Sequence, residues 1–389
     1  MRGQTLILMA GIAVTGSNSL VLSPILADVA AGLGTTAVTV SYALAAYGGA
    51  TAISAFFLAP WIDRAGARTA LLGGLAALLL ATLLSAGAPS WPVLVLAQAL
   101  AGLGAGVVLP SIYALAAGLA PPGREAETLG RVLTGWSISL VAGVPAAALA
   151  SDLAGWRAPF LLLAALAAAA LLGTLRLPDH RVPPMPRRGP LAPLRYPGVP
   201  ALLMICLGYM SAFYGVYAFL GDHLRTGLGV SAAAAGLVVL TYGIGFGLAS
   251  LADHRLDRIG PRRVFPLILL AIALIYLALI VGSASLWTAA VITGLWGFAN
   301  HLGLNTLILL LAAARPEQRG AVLGLNSAVT YLGAMLGTGA AGVLYESGGF
   351  PATAGAAALA LALAALVALR ALAPRPLARG EAKPQSACP

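Results

Sequence analysis

Ala59-Pro60-Trp61-Ile62-Asp63-Arg64-Ala65-Gly66-Ala67-Arg68 is a charged island in a chain built mostly of Ala, Leu, Gly and Val. Apolar runs long enough to cross a bilayer flank it on both sides. A second island, Asp257-Arg258-Ile259-Gly260-Pro261-Arg262-Arg263, repeats its Asp-Arg-x-Gly-x-Arg pattern. The two lie 194 residues apart, half of the 389-residue chain. A charged turn repeated at half the chain length predicts a duplicated membrane protein.

Composition agrees. The chain is 60% hydrophobic and 9% charged, with mean hydropathy +0.94. A soluble domain carries about 25% charged residues, so this chain has too few to cover a water-facing surface. Its net charge of +10 raises nucleic acid as a partner. The cations, however, sit in short loops between apolar runs, which is the pattern of membrane orientation. Cys206, in an apolar run, and Cys388, in the tail, form no disulfide framework and no metal-ligand spacing. No metal or cofactor is expected. The apolar pattern that begins at Leu6 continues along the whole chain, so the first run reads as an uncleaved span rather than a signal peptide.

A spanning helix needs about 20 apolar residues, the hydrocarbon thickness divided by the helical rise. Twelve runs qualify, near 5–27, 36–60, 69–87, 91–118, 128–150, 158–175, 199–221, 231–252, 264–283, 286–314, 320–345 and 350–373. The expected fold is an all-α integral membrane protein of two pseudo-symmetric six-helix bundles, residues 1–175 and 199–373. A Pro- and Arg-rich linker, 176–198, joins them on the cytoplasmic side, and a polar tail, 374–389, is read as disordered. With both termini on one side, that side collects 20 of the 22 cations, and only Arg157 and Arg225 fall opposite. The positive-inside rule then places both termini in the cytoplasm. The repeat extends beyond the islands. Pro122 to Gly130 aligns with Pro316 to Gly324, and Gly155-Trp156 with Gly349-Phe350, again 194 apart. Six spans per half make the repeats parallel, related by an axis along the membrane normal.

Polar residues are spread unevenly. The third, sixth, ninth and twelfth spans are nearly bare and suit lipid. The first carries Asn18, the fourth Gln98 and Tyr113, and the fifth Trp136. The seventh carries Tyr209, Phe213 and Tyr217 at successive turns, and the tenth Trp296, Asn300, His301 and Asn305. A polar group inside a membrane needs a partner or a wet cavity, so spans one, four, seven and ten are the expected cavity lining. Small residues recur every fourth position at Gly135, Ser139, Gly143 and Ala147, and at Gly333, Gly337 and Ala341. Such rows serve tight packing or an interface that slides.

Twelve spans in two halves, with Asp-Arg-x-Gly-x-Arg after the second and eighth, resemble the major facilitator superfamily over nearly the whole chain. The superfamily loop reads Gly-x-Leu-x-Asp-Arg-x-Gly-Arg-Arg; here Ala59, Trp61 and Ala67 replace three of its positions. Within the superfamily, Gln98 to Pro110 resembles the fourth-helix motif of the bacterial drug and sugar efflux branch, with Gln98 where the branch has Arg. Gly143-Val144-Pro145 resembles its fifth-helix antiporter motif, so Gly143 and Pro145 are assigned to it. The resemblance implies a secondary transporter of the bacterial inner membrane, working by alternating access and exporting a small amphipathic compound against protons. It implies a gate made of Asp63, Arg64, Gly66 and Arg68 with Arg131, and its twin Asp257, Arg258, Gly260 and Arg262. An ordinary solvated turn is the competing reading of these charges.

His301 is the one His or acid placed deep in a span. It either carries a coupling proton or is a neutral ring bonded to a neighbouring helix. Asp28 and Asp222, again 194 apart, lie near the outer ends of the first and seventh spans, as loop charges or as an outer gate and proton entry. The expected partners are a small-molecule substrate, protons and lipid, with the chain acting as a monomer. An importer or facilitator of a sugar or other metabolite fits the same fold. A membrane enzyme would need titratable groups clustered at one depth, and His180, His223, His254 and His301 are scattered. No Gly-rich phosphate loop is present.

Overall fold

A computed structural model describes residues 2–58, 64–121, 124–178, 191–253, 258–315 and 318–372. The acids of both islands, Asp63 and Asp257, lie outside these residues. So do positions 179–190 of the linker and the tail from residue 373. No strand occurs among the described residues.

Twelve helical segments follow among the described residues. The first, α1, runs Arg2–Leu20 and continues as Leu22–Gly32 after a 53° bend. Pro24 explains the bend, because it offers no N–H to the carbonyl of Leu20 and its ring crowds that turn. α2 is Ala37–Phe57, α3 Ala67–Ala86 and α4 Trp91–Leu119. α5 runs Glu125–Ile138, then a π-helical turn Ser139–Gly143, then Val144–Ala154. Pro145 stands two residues after that turn ends and again frees a carbonyl one turn back. α6 is Ala158–Thr174, α7 Val199–Leu228, α8 Ala232–Ala249, α9 Pro261–Gly282 and α10 Leu286–Ala314. The last helix, Arg319–Ala371, is broken at Gly349. Its arms, 319–348 and 350–371, are α11 and α12.

The ends follow from local chemistry. Thr36 accepts the N–H of Thr39 and starts α2, and Ser231 accepts that of Ala234 and starts α8. Left-handed glycines repeat at the duplication offset: Gly66 and Gly260 open α3 and α9 at φ 86° and 96°, and Gly155 and Gly349 separate α5 from α6 and α11 from α12 at 82° and 64°. Two boundaries depart from expectation, and the first is that of α1, which continues to Gly32 and so holds Asp28 within the helix. α7 continues to Leu228, so Asp222 and Arg225 belong to the helix and not to a loop. The hydropathy ends before them, yet partners on neighbouring helices keep the last turns ordered.

The rows of small residues pack within each half. A Cβ at Gly135 would meet Met9 and Ile12, and one at Gly143 would overlap the Ser17 hydroxyl, so this row seats α5 on α1. Gly333 and Gly337 meet Met210 and Ser211, seating α11 on α7. Between the halves, other glycines make the close approaches. Gly221 of α7 lies on Ser23 and Pro24 of α1. Gly236 and Gly243 of α8 lie on Ala148 and Leu140 of α5. Gly48 of α2 lies on Ala334 and Met335 of α11. These described contacts run from mid-membrane toward the face opposite the chain ends, called here the far face.

Candidate functional site

α7 presents Tyr209, Phe213 and Tyr217 on one stripe, all buried. The Tyr209 hydroxyl donates to Asn300 Oδ1 at 2.6 Å, and Asn300 Nδ2 donates to the Tyr242 hydroxyl at 2.6 Å. One amide thus ties α7, α8 and α10 together. Phe213 lies 5.4 Å from Trp296, 5.7 Å from Tyr217 and 5.9 Å from Tyr242, measured between ring centres. Trp296 also meets Tyr242 and Tyr276 edge to face, both at 5.2 Å. Such edge-to-face and tilted arrangements are the favoured ones for aromatic rings. The Tyr217 hydroxyl is buried without a partner, which is the costly state for a polar group at this depth. Tyr214, next on α7, lies within electrostatic range of Tyr47 on α2. Tyr331 on α11 is in range of Tyr214, Tyr47 and Tyr113. Ser23 of α1 bonds the Tyr217 carbonyl on the same stripe, so the aromatic patch borders the first half as well.

His301 and Asn305 occupy another sector of α10, toward the inner end of α8. His301 Nε2 sits 3.2 Å from Asp253 Oδ2, and Asn305 Nδ2 donates to Asp253 Oδ1 at 2.9 Å. Phe246 closes edge-on against the imidazole at 4.8 Å, and His301 Nδ1 is buried without a partner. The histidine is therefore half of an acid–imidazole pair. Its sequence position beside Asn300 hid this, because the acid is supplied by the turn that follows α8.

In the first half, Asn18 Nδ2 donates to Gln98 Oε1 at 3.1 Å, and Gln98 Nε2 to Ser85 Oγ at 3.0 Å. Both side chains are buried, and the chain of bonds pins α1, α4 and α3 to one another. Only the Asn18 Oδ1 remains unpartnered. Tyr113 lies beside Trp136, whose ring covers Gly16 on α1. Gly143 and Pro145 act together: the glycine admits Ser17, and the Pro145 backbone faces Gly236 of the other half.

At the far face, Arg225 Nη2 donates to Asp28 Oδ1 at 2.5 Å, joining α7 to α1. Ser151 of α5 donates to the other oxygen of Asp28 at 3.0 Å. Asp152 accepts the N–H groups of Ala232 and Ala233 at 2.9 and 2.7 Å, capping α8 across the interface. The Ser23 hydroxyl donates to the Tyr217 carbonyl. Asp222 is 4% exposed and accepts the Tyr345 hydroxyl at 2.7 Å.

At the opposite end, Arg64 is exposed, and Gly66 supplies the left-handed turn into α3. Arg68 donates to the carbonyls of Leu175 at 2.7 Å and Thr174 at 3.4 Å, at the C-terminus of α6. Carbonyls left open at a helix end attract a cation in this way. Arg131, Arg258 and Arg262 are exposed, and Gly260 repeats the turn.

A sequence model of the Major Facilitator Superfamily matches residues 7–225 and again 201–387, so each half matches separately. The chain belongs to the major facilitator superfamily. An uncharacterized MFS-type transporter, YwfA, of Bacillus subtilis is 28% identical over 89% of this chain and 86% of its own. A chloramphenicol resistance protein of Streptomyces lividans is 28% identical over 81% of this chain and 82% of its own. The crystal structure of a D-xylose-proton symporter superposes with TM-score 0.77 at 16% identity, covering 94% of this chain and 96% of that one. This facilitator is thus a multi-pass membrane protein and a transporter rather than an enzyme, and members of its superfamily carry small molecules.

Sequence reading of this transporter missed Tyr242, Asp253, Arg225, Ser151 and Tyr345. One signal for the last two was present. Ser151 and Tyr345 are themselves 194 apart, so the offset that pairs Asp28 with Asp222 pairs their hydroxyl donors too.

Proposed function

We propose that the chain exports a small amphipathic organic compound across the bacterial inner membrane, by alternating access coupled to protons. The observation that carries this reading is the aromatic and amide patch at mid-membrane, bordering both halves beneath a far face held shut by cross-half contacts. Rings from Phe213, Tyr217, Tyr242 and Trp296 suit a flat apolar moiety. Tyr217 and Asn18 bring unpartnered polar atoms to their respective sides. The cation count makes the chain-end face cytoplasmic, with residues 1–175 and 199–373 as the two moving bundles and 176–198 as their cytoplasmic linker. His301 with Asp253 is the inner proton seat, and Asp28 with Asp222 marks the outer gate and proton entry. The Asp63 and Asp257 islands control the inner opening. A proton falling through about 100 mV and one pH unit releases about 3.7 kcal/mol, enough to sustain a gradient of several hundredfold.

The efflux direction draws on the fourth- and fifth-helix motifs and on the relative named for chloramphenicol resistance. Everted membrane vesicles given an imposed pH gradient and a panel of compounds, chloramphenicol first, test it. Proton-driven accumulation inside everted vesicles is the expected result. Accumulation only in right-side-out vesicles would make the chain an importer.

A further inference from the structure

The duplication placed equivalent carboxylates at Asp28 and Asp222, and the structure surrounds them differently. Each accepts a hydroxyl from the fifth helix of its own half, Ser151 for Asp28 and Tyr345 for Asp222. Asp28, 28% exposed at its side chain, also holds Arg225. Asp222 is 4% exposed, and among the described residues its side chain has the neutral Tyr345 hydroxyl as its one hydrogen-bond donor. A carboxylate so buried, beside no bonded cation, is cheaper to keep neutral than charged. Arg225 lies three residues further along the same helix as Asp222, one turn away. Its Nε and Nη1 are buried and unpartnered, so it has donors to spare.

We propose that Asp222 is a proton-binding site, and that Arg225 exchanges Asp28 for Asp222 when the far face opens. With that face shut, Arg225 is bonded across the interface, and Asp222 carries the proton on Oδ1 while Tyr345 donates to Oδ2. Opening withdraws Asp28 with the first half. Arg225 then turns to the carboxylate on its own helix, the Asp222 O–H bond breaks, its electron pair stays on the carboxylate, and the proton passes to water at the far face. Closing reverses each step. The other ionisable groups around the site are accounted for. Asp152 caps α8. His223 stacks on Phe350 at 4.5 Å and bonds Ser283. Glu346, beside Tyr345, is exposed. Arg157 lies over Trp156 and donates to the Ala88 carbonyl.

The inference rests on the alternating-access reading, not on substrate or direction. Its test uses the full chain purified in detergent, with Cys206→Ser and Cys388→Ser. Ser23→Cys then places one thiol in the closed interface, against Tyr217. Its maleimide reaction rate is read from pH 6 to 8.5, each value normalised to the denatured protein at that pH. The closed form holds one more proton at Asp222, so the rate should climb with pH, by at most about tenfold per unit. Asp222→Asn should make it slow and flat, Arg225→Gln fast throughout, and His223→Gln should leave the climb intact. Tyr345→Phe removes the donor that favours the charged carboxylate, so the climb should move to higher pH. An unchanged climb in Asp222→Asn, or an unmoved one in Tyr345→Phe, would overturn the proton assignment. A thiol as slow in Arg225→Gln as in the parent would overturn the latch. Were residue 23 unreactive in every variant at every pH, the alternating-access reading itself would fall.

Discussion

Tyr217 and Asn300 are neighbours in the same patch, yet their polar groups stand in opposite situations. Asn300 satisfies the hydroxyls of Tyr209 and Tyr242. Asn300→Ala leaves the Tyr242 hydroxyl buried and unpaired, at about 1–3 kcal/mol, while Tyr209 keeps the Asn300 backbone carbonyl at 3.0 Å; it should lower the melting temperature of the purified protein. Tyr217→Phe removes a hydroxyl that bonds nothing in this state. It should leave the melting temperature unchanged and weaken substrate binding several-fold, as read by transport KM. A Tyr217→Phe protein that melts lower would mean the hydroxyl has a structural partner. At this scale the sequence was informative about which residues are polar within the membrane and silent about their partners. His301 stood out by depth alone, whereas Asp253, just beyond the eighth span, drew no attention. Gln98 looked like cavity lining because it is polar, but it bonds Asn18 and Ser85 instead. Pairing across helices is a property of packing, and no local pattern records it.

Helices were far more legible. Apolar runs bounded by charges, prolines and glycines located the helical segments among the described residues, because the hydrocarbon thickness sets their length. The misjudged ends were those of α1 and α7, where Asp28, Asp222 and Arg225 are held by partners on other helices. Small-residue rows were legible as rows but not as to the surface they serve. The two that stood out hold helices together inside a half, while Gly221, Gly236 and Gly48 serve the interface between halves. The distinction predicts different phenotypes. Gly337→Val drives a side chain into the Ser211 backbone within one bundle and should cost about 1–3 kcal/mol of stability, lowering the melting temperature. Gly221→Val meets the backbone of Ser23 in the other bundle, and the halves can relieve that clash by parting. It should melt near the parent while the thiol of Ser23→Cys reacts several-fold faster. Equal losses of melting temperature in the two would erase the distinction.

For the whole molecule, a carrier that alternates must part its far face once per cycle. Ala148 and Gly236 face each other there, with 2.8 Å between the Ala148 Cβ and the position a Gly236 Cβ would take. A disulfide sets its Cβ atoms about 3.8 Å apart, a shift the two helices can absorb. Ala148→Cys with Gly236→Cys should stop transport when oxidised and recover it on reduction, in the same vesicle assay. Full transport by the oxidised protein would mean these helices never separate. The duplication behind this architecture was the most legible feature of all, since two short islands at a fixed offset disclosed it.

That duplication has a consequence for the bond between Asp28 and Arg225. Ser23 touches the carbonyl of Tyr217, a residue 194 positions away and thus its own counterpart in the other half, which marks the symmetry axis. The counterpart of Arg225 is Ala31. Two identical six-helix subunits meeting on such an axis could only carry both arginines or neither. A lone arginine arbitrating between twin acids is open only to a chain in which the two copies are covalently joined and free to differ.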